Sequence, residues 1–127
     1  MEFIIESRNG LLCGTATGSG SVNEAVTMFN MMFDGAIDLG THLILVDCSA
    51  VTSVLSGLER YHLGSLSAEY AQQRSKESIV LKVAVVGAPP VIDGFAALVA
   101  SNRGVTTETF ADTRDAIEWL YRFGLSG

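Results

Sequence analysis

Two short, mostly apolar runs constrain the fold of this chain more than any other feature of its sequence. One extends from His42 to Asp47 and the other from Val80 to Val86. Apolar runs of this length, without regular polar alternation, are typical of strands that are buried on both faces of a parallel sheet. Parallel neighbours need a crossover connection, which is usually a helix. The two runs therefore predict an α/β fold.

An Asn-Gly pair near the start of the chain predicts a β-hairpin. The strand-like segments Phe3 to Glu6 and Leu11 to Thr17 flank Asn9-Gly10. An Asn-Gly turn between two such segments is the strongest short-range signal for an antiparallel pair. We therefore expect the domain to open with a hairpin.

The first helix has clear start and stop signals. Ser21 and Glu24 have the spacing of a capping box, and Gly40 is suited to the position just after the last turn. Between them, large apolar residues follow one helical stripe: Val22, Val26, Phe29, Phe33 and Ile37.

The rest of the chain alternates between helices and strands. We expect further helices over Leu55 to Arg74 and Pro90 to Asn102, a strand over Val105 to Phe110, and a last helix that Asp112 caps. The core side of that last helix should carry Ala116, Ile117, Leu120 and Phe123. The order is ββαβαβαβα, so the later strands should be parallel with right-handed crossovers. A length of 127 residues is typical of one domain, 1–127.

Charge and composition exclude several classes of partner. The chain has 14 acidic and 8 basic residues and no basic run, which argues against nucleic acid and anionic lipid. It has no apolar run near the roughly 20 residues of a membrane span, and its first residues do not resemble a signal peptide. Cys13 and Cys48 are expected to be buried thiols in a reducing compartment. We therefore expect a cytoplasmic protein without metal or cofactor.

Glycines between the second strand and the first helix raise the question of a phosphate-binding loop. Gly14, Gly18 and Gly20 lie where such loops occur. The dinucleotide pattern would need a third glycine at Asn23, and the P-loop pattern would need a lysine that is absent here. A flexible connection explains the glycines better.

The first helix is more apolar than one buried face requires. Met28, Met31 and Met32 lie beside the core stripe. A second apolar stripe is normally covered by another subunit or by a ligand, and adaptable methionines suit either. We therefore expect these methionines to form a homodimer interface or to contact a small hydrophobic ligand. The alternative is that the sheet and a neighbouring helix cover them.

The turn after Asp47 carries a family resemblance. The strand ends at Asp47, Val51-Thr52 follows, and Ser56-Gly57-Leu58 opens the second helix. This order resembles the STAS domain of anti-sigma-factor antagonists, whose strand leads through a Val-Thr-like step to Asp-Ser-Ser-Gly-Leu. Leu55 stands here in place of the family's acid, and one residue is missing.

The resemblance extends over nearly the whole chain. The opening hairpin, the strand Val83 to Gly87 and the segment Thr109 to Leu120 are similar to a SpoIIAA-like subgroup that is related to Sec14-like domains. It implies a mixed sheet of SpoIIAA-like type, opened by an antiparallel hairpin.

The resemblance also implies a phosphoacceptor. Ser56 corresponds to the serine that a partner kinase phosphorylates, and Ser53 is a second candidate. A hydroxyl at a helix amino terminus is near free N–H groups and a dipole that favours phosphate. The alternative for either serine is a helix cap. Asp47 should accept hydrogen bonds from the loop, with Ser49 and Gly57 helping to shape the turn.

Two functions follow as hypotheses. The first is a non-enzymatic regulatory module of STAS type with a protein partner, since no acid-base pair or nucleophile-base set can be named around His42 or His62. The alternative is a carrier or sensor of a small hydrophobic ligand, as in Sec14-like lipid binding, with Phe29, Phe33 or Tyr61 lining a cavity.

Overall fold

The computed structural model describes residues 1–74 and 80–125, and it has the predicted order of elements. In this part of the chain the strands are β1 (Glu2–Arg8), β2 (Leu11–Gly18), β3 (Leu43–Val51), β4 (Lys82–Val86) and β5 (Thr106–Phe110). The helices are α1 (Val22–Leu39), α2 (Gly57–Arg74), α3 (Phe95–Asn102) and α4 (Thr113–Leu125).

The sheet combines one antiparallel pair with three parallel ones. Its strands lie in the order β1-β2-β3-β4-β5. β1 is antiparallel to β2, and every later neighbour is parallel. The hairpin turn places Asn9 at φ 52° and Gly10 at φ 81°, the left-handed conformations that a tight Asn-Gly turn requires. The predicted fold class is confirmed.

Helices cover both faces of the sheet, which explains the apolar runs. In β3, Ile44 and Val46 belong to the core under α1, α2 and α3, whereas Leu43 and Leu45 belong to the core under α4. Successive side chains of a strand point to opposite faces, so a strand covered on both sides is apolar at every position.

Helix α1 has the predicted ends but a different buried stripe. Ser21 and Glu24 form the capping box, and Gly40 closes the helix at φ 72°. The buried residues are Met28, Met32, Phe33 and Ala36, whereas much of the predicted stripe is only half-buried. Gly14 of β2 helps to explain this, because a Cβ there would lie 2.7 Å from the Sδ of Met32. The missing side chain leaves room for Met32 against the sheet.

Some element boundaries differ from the prediction. β3 continues past Asp47 to Val51, because β2 keeps pairing with it up to the Gly18–Val51 position. Helix α3 begins at Phe95 and not at Pro90, and the preceding Gly94 has φ 88°. The side chain of Asp93 accepts a hydrogen bond from the Phe95 N–H at 3.0 Å and shapes this turn.

The last helix follows the prediction where it is described. Asp112 Oδ1 accepts a hydrogen bond from the Asp115 N–H at 2.9 Å. Ala116 and Leu120 of α4 are fully buried against the sheet. The predicted core side chain of Phe123 lies outside the described residues.

Candidate functional site: the turn before α2 and the cavity beside it

Ser56 caps helix α2. Its Oγ accepts a hydrogen bond from the Glu59 N–H at 3.1 Å, and Glu59 Oε1 accepts one from the Ser56 N–H at 2.9 Å. This reciprocal pair is a capping box and satisfies two backbone donors at the start of the helix. Ser56 itself is exposed. The hydroxyl therefore serves as a cap and is also accessible from solvent.

Ser53 has a different role from the helix cap considered above. Its Oγ accepts a hydrogen bond from the Gly20 N–H at 3.0 Å. The neighbouring Thr52 N–H donates to the Gly18 carbonyl at 3.0 Å. Ser53 therefore ties the loop after β3 to the loop after β2, and the expectation that it caps α2 is corrected.

Asp47 binds the residue two positions further on. Its Oδ1 accepts hydrogen bonds from the Ser49 N–H at 3.0 Å and from the Ser49 hydroxyl at 2.6 Å. These bonds lie within β3, about one strand length before the turn that carries Ser56. The structure thus brings Asp47 and Ser49 together, but they do not contact Ser53, Ser56 or Gly57 through any described hydrogen bond.

Two apolar side chains on either side of Ser56 face solvent. Val54 is 53% exposed and Leu58 is 68% exposed. Gly57, between Ser56 and Leu58, has open space where a Cβ would lie, as far as the described residues show. Val54 and Leu58 lie two residues before and two residues after Ser56 in the sequence, and exposed apolar side chains that form a common patch mark interaction surfaces more often than scattered ones do. We call Val54, Ser56 and Leu58 the turn surface.

An apolar cavity of about 110 Å³ lies between the sheet and the three helices on its α1 side. Apolar groups from several elements form most of its wall, among them Met28, Phe29, Phe33, Val83, Val85 and Ala100. Ser53 and Leu55 of the turn also line it, so the cavity and the turn surface are adjacent. Of the aromatic residues predicted for a cavity, Phe29 and Phe33 line this one and Tyr61 does not.

One polar side chain deep in this wall has no partner. Ser67 of α2 is only 5% exposed, and its Oγ has no hydrogen-bond partner among the described residues. Buried hydroxyl groups are normally hydrogen-bonded, because an unpaired one loses its interactions with water without replacement. Ser67 is therefore unusual among the buried residues of this wall.

An ion pair lies where the cavity approaches the surface. Arg60 Nη1 lies 2.8 Å from Asp93 Oδ2, and the same guanidinium donates to the Pro90 carbonyl. Both charged residues line the cavity. These contacts fix the beginning of α2 to the loop before α3, and the two charges compensate each other.

The three methionines of α1 do not share one face. Met28 and Met32 are buried within the protein's own core, and Met28 also lines the cavity. Met31 is 46% exposed. The expectation that all three face a second chain or a ligand is corrected: only Met31 is accessible to another subunit, and only Met28 lies at the cavity.

The two cysteines are buried and unpaired with each other. Burial, and to a smaller extent the nearby Asp47 carboxylate, raises the pKa of Cys48 to about 12. Burial also raises the pKa of Cys13, although Arg8 opposes the shift. Both side chains therefore remain thiols near neutral pH and are poor nucleophiles.

Two kinds of feature are absent from the described residues. Within residues 1–74 and 80–125, no helix is long and apolar enough to cross a membrane. In the same part of the chain, no group of three or more His, Cys, Asp or Glu side chains has an arrangement that could hold a metal ion.

The fold defines the class of this domain. It is similar to an anti-sigma factor antagonist from Mycobacterium paratuberculosis, with a TM-score of 0.60 and 15% identity over 94% of this chain and 93% of that one. It is also similar to an uncharacterized DUF3478-family protein with a SpoIIAA-like fold from Shewanella loihica PV-4, with a TM-score of 0.55 and 22% identity over 94% of this chain and 92% of that one.

These similarities establish a SpoIIAA-like fold, as the sequence predicted. No family model and no curated protein matches the sequence. The similarity therefore lies in the arrangement of the elements.

Ser67 is the residue of the candidate site that sequence reasoning missed. Only its phase along α2 could have indicated that it points inward, because Gly64, Ala68 and Ala71 are buried on the same side of the helix. These residues are small and weakly hydrophobic, so the inward face of α2 gives no strong apolar stripe. Gly64, Ser67 and Ala68 of this series line the cavity.

Proposed function

We propose that this chain is a non-enzymatic regulatory module of the STAS type that binds a protein partner through its turn surface. The observation that carries the proposal is the pair of exposed aliphatic residues, Val54 and Leu58, on either side of the accessible Ser56. The similarity to an anti-sigma factor antagonist supports a protein partner. We place the protein in the cytoplasm, where such a partner and a kinase would be found.

Phosphorylation of Ser56 would act directly on the turn surface. A phosphate on Ser56 adds negative charge close to the Glu59 carboxylate, which accepts a hydrogen bond from the Ser56 N–H at 2.9 Å. Repulsion would displace Glu59 from the capping box, while the phosphate would take over the helix N–H groups. The side chains of Val54 and Leu58 would then be presented differently to the partner.

The partner test begins with capture on the purified protein and identification by mass spectrometry. We expect Leu58→Lys to weaken binding of the recovered partner about tenfold or more, as for a central interface residue. Ile4→Lys is the matched control, because Ile4 is 70% exposed on the edge strand β1. Its neighbours Phe3 and Ile5 pack against the core on the α1 side, so Ile4 points to the opposite face of the sheet. Equal affinity of the two variants would reject the turn surface as the binding site.

The phosphorylation test uses intact-mass measurement after incubation with a kinase recovered in the same way. The wild-type protein and Ser53→Ala should gain one phosphate, and Ser56→Ala should gain none. A phosphate that Ser56→Ala retains and Ser53→Ala loses would assign the switch to Ser53. The Ser56→Asp variant should change partner affinity by about fivefold or more, and an unchanged affinity would reject the switch.

We also propose that the protein forms a homodimer, with Met31 and Leu39 of α1 at the contact. These two residues are exposed apolar side chains on the same helix, at 46% and 58%. Light scattering should give twice 13.5 kDa for the wild-type protein and a smaller mass for Met31→Lys. A wild-type monomer, or a dimer that Met31→Lys leaves intact, would reject this contact.

A second candidate function is the binding of a small hydrophobic ligand, and the apolar cavity favours it. Pockets for drug-sized ligands begin at about 300 Å³. The cavity here is about 110 Å³, which supports a small compound in place of a membrane lipid. Native mass spectrometry of the freshly purified protein would detect a tightly bound compound of this kind.

A further inference from the structure

We propose that the cavity binds a small, uncharged, mainly apolar molecule whose single polar group forms a hydrogen bond with the Ser67 hydroxyl. This inference rests on the second candidate function and is independent of the partner and the phosphate switch. The chemical class follows from the wall, the hydroxyl, the ion pair and the volume, which are taken in turn.

The wall selects an apolar molecule. Side chains from both the sheet and the helices contribute to it, including Phe29, Val85 and Ala100. Transfer of an apolar group from water into such surroundings is favourable, whereas transfer of an unpaired charge is strongly unfavourable. The charged residues of the lining, Arg60 and Asp93, already compensate each other, so neither is left to pair with a carboxylate or an ammonium group inside the cavity.

The Ser67 hydroxyl favours a ligand that carries one polar group. The Oγ of Ser67 is buried, lines the cavity and has no partner in the described part of the protein. A serine hydroxyl can donate one hydrogen bond and accept others, so it suits an alcohol, a phenol or a ketone. A ligand with such a group at this position would satisfy both itself and Ser67.

The surface side of the cavity adds no net charge. Arg60 and Asp93 line it and form an ion pair with each other at 2.8 Å. Asp93 is exposed whereas Ser67 is buried, so the lining extends from solvent to the interior. The cavity lining therefore includes residues that solvent reaches as well as the buried Ser67.

The volume limits the ligand to a few heavy atoms. An engineered apolar cavity of about 150 Å³ in another protein binds benzene. The cavity here, at about 110 Å³, is of the same order, which suits one aromatic ring or a short aliphatic chain. Phenol and benzene are therefore suitable probes, because they differ by one hydroxyl group.

The test measures dissociation constants of phenol and benzene by methyl NMR titration, followed on the cavity residues Met28, Val85 and Ala100. We expect both probes to shift these signals in the wild-type protein. Ser67→Ala should weaken phenol about three- to tenfold, the effect of losing one hydrogen bond, and change benzene by less than about twofold. Ser65→Ala, the same substitution two residues away on α2, should leave both constants unchanged.

Each remaining outcome overturns a defined part of the proposal. If neither probe shifts the cavity signals, both the ligand site and the second candidate function are rejected. If both probes bind but Ser67→Ala weakens phenol no more than benzene, the role of Ser67 is rejected and the second function survives. Ala97→Leu should fill the cavity and abolish binding of both probes, and continued binding would place the site elsewhere.

Discussion

Helix α2 has one serine at its start and another in its middle, and the two hydroxyl groups differ in whether they are hydrogen-bonded. At the first turn, the exposed Ser56 takes part in two hydrogen bonds with Glu59. In the middle, the buried Ser67 has none among the described residues. An exposed hydroxyl could have relied on water, whereas a buried one could not. The helix is thus locally optimised where it begins and locally unfavourable where it faces the cavity, a pattern typical of functional sites.

Substituting alanine for each of two glycines of α2 should give the largest difference in stability between the start of the helix and its middle. A Cβ at Gly64 would lie 2.5 Å from the Ala96 carbonyl of α3 and 2.9 Å from the Val99 Cβ. Gly64→Ala should therefore destabilise the protein by about 1–3 kcal/mol through overpacking, despite the better helix propensity of alanine. Chemical denaturation gives the free energy of unfolding.

Gly57→Ala is the control for that measurement. Apart from its chain neighbours and the backbone of its own helix, no described heavy atom lies within 4 Å of a Cβ at Gly57. We expect a change of less than about 0.5 kcal/mol there, as at other surface positions. A tolerated Gly64→Ala would show that α2 and α3 can separate easily at the cavity.

Replacing each of the two serines with alanine should affect the stability of the protein differently. Ser56→Ala removes the cap and should destabilise the protein by about 1 kcal/mol. Ser67→Ala removes a buried, unpaired hydroxyl and should leave stability unchanged or raise it by up to about 1 kcal/mol. Thermal and urea unfolding of the two variants, measured without added ligand, compare these changes directly. A clear loss of stability in Ser67→Ala would mean that its hydroxyl is already satisfied.

The smallest expected effect is a pH-dependent contribution to stability from an ion pair at the end of α2. Asp34 of α1 accepts hydrogen bonds from Tyr70 at 2.8 Å and from Arg74 at 2.7 Å. Burial raises the pKa of Asp34, but the bonds from Arg74 and Tyr70 and the charge of Arg74 outweigh it, so that the pKa is lowered. The ionised carboxylate therefore stabilises the folded state above its unfolded pKa of about 3.9.

Asp34→Asn tests this contribution. The wild-type protein should be more stable than the variant above about pH 5, by less than about 1 kcal/mol because the carboxylate is 39% exposed. The difference should disappear as the pH falls through the lowered pKa of Asp34. Urea unfolding at a series of pH values measures it, and a difference that persists at acid pH would contradict the assignment.

The fold was predictable because strong local signals agreed with one another. The Asn9-Gly10 turn, the Ser21-Glu24 capping box and the left-handed Gly40 all occur as predicted. The apolar run of β3 reflected burial on both faces of the sheet. Such signals depend on neighbouring residues and on periodicity, which a sequence displays directly.

The buried face of α1 and the start of α3 were not predictable in the same way. Phe29 is more hydrophobic than Met32, yet Met32 is the residue that is completely buried. Gly14 of strand β2 has no side chain and leaves room for it. Pro90 suits the first turn of a helix, but the chain forms a loop that reaches Gly94 before α3 begins. Both outcomes depend on tertiary contacts.

The two parts of the candidate site, the turn and the cavity, also differ in whether the sequence predicted them. The turn before α2 was located from sequence, because Ser56-Gly57-Leu58 follows the apolar strand in the order of the family resemblance, whereas the pairing of Ser56 with Glu59 became visible only in the structure. The cavity and Ser67 were not, because the wall is assembled from distant segments and includes small residues of α2 that give no hydrophobic pattern. The turn is a local structure, whereas the cavity is a product of packing.

The bonds that join the loops after β2 and β3 affect how the protein opens. Gly20 donates to Ser53, and Thr52 donates to Gly18, so each loop holds the other in place. In native-state fluctuations, segments connected in this way open together as one cooperative unit. The start of α1 and the approach to α2 would then exchange their amide hydrogens in a single event, although more than thirty residues separate them in sequence.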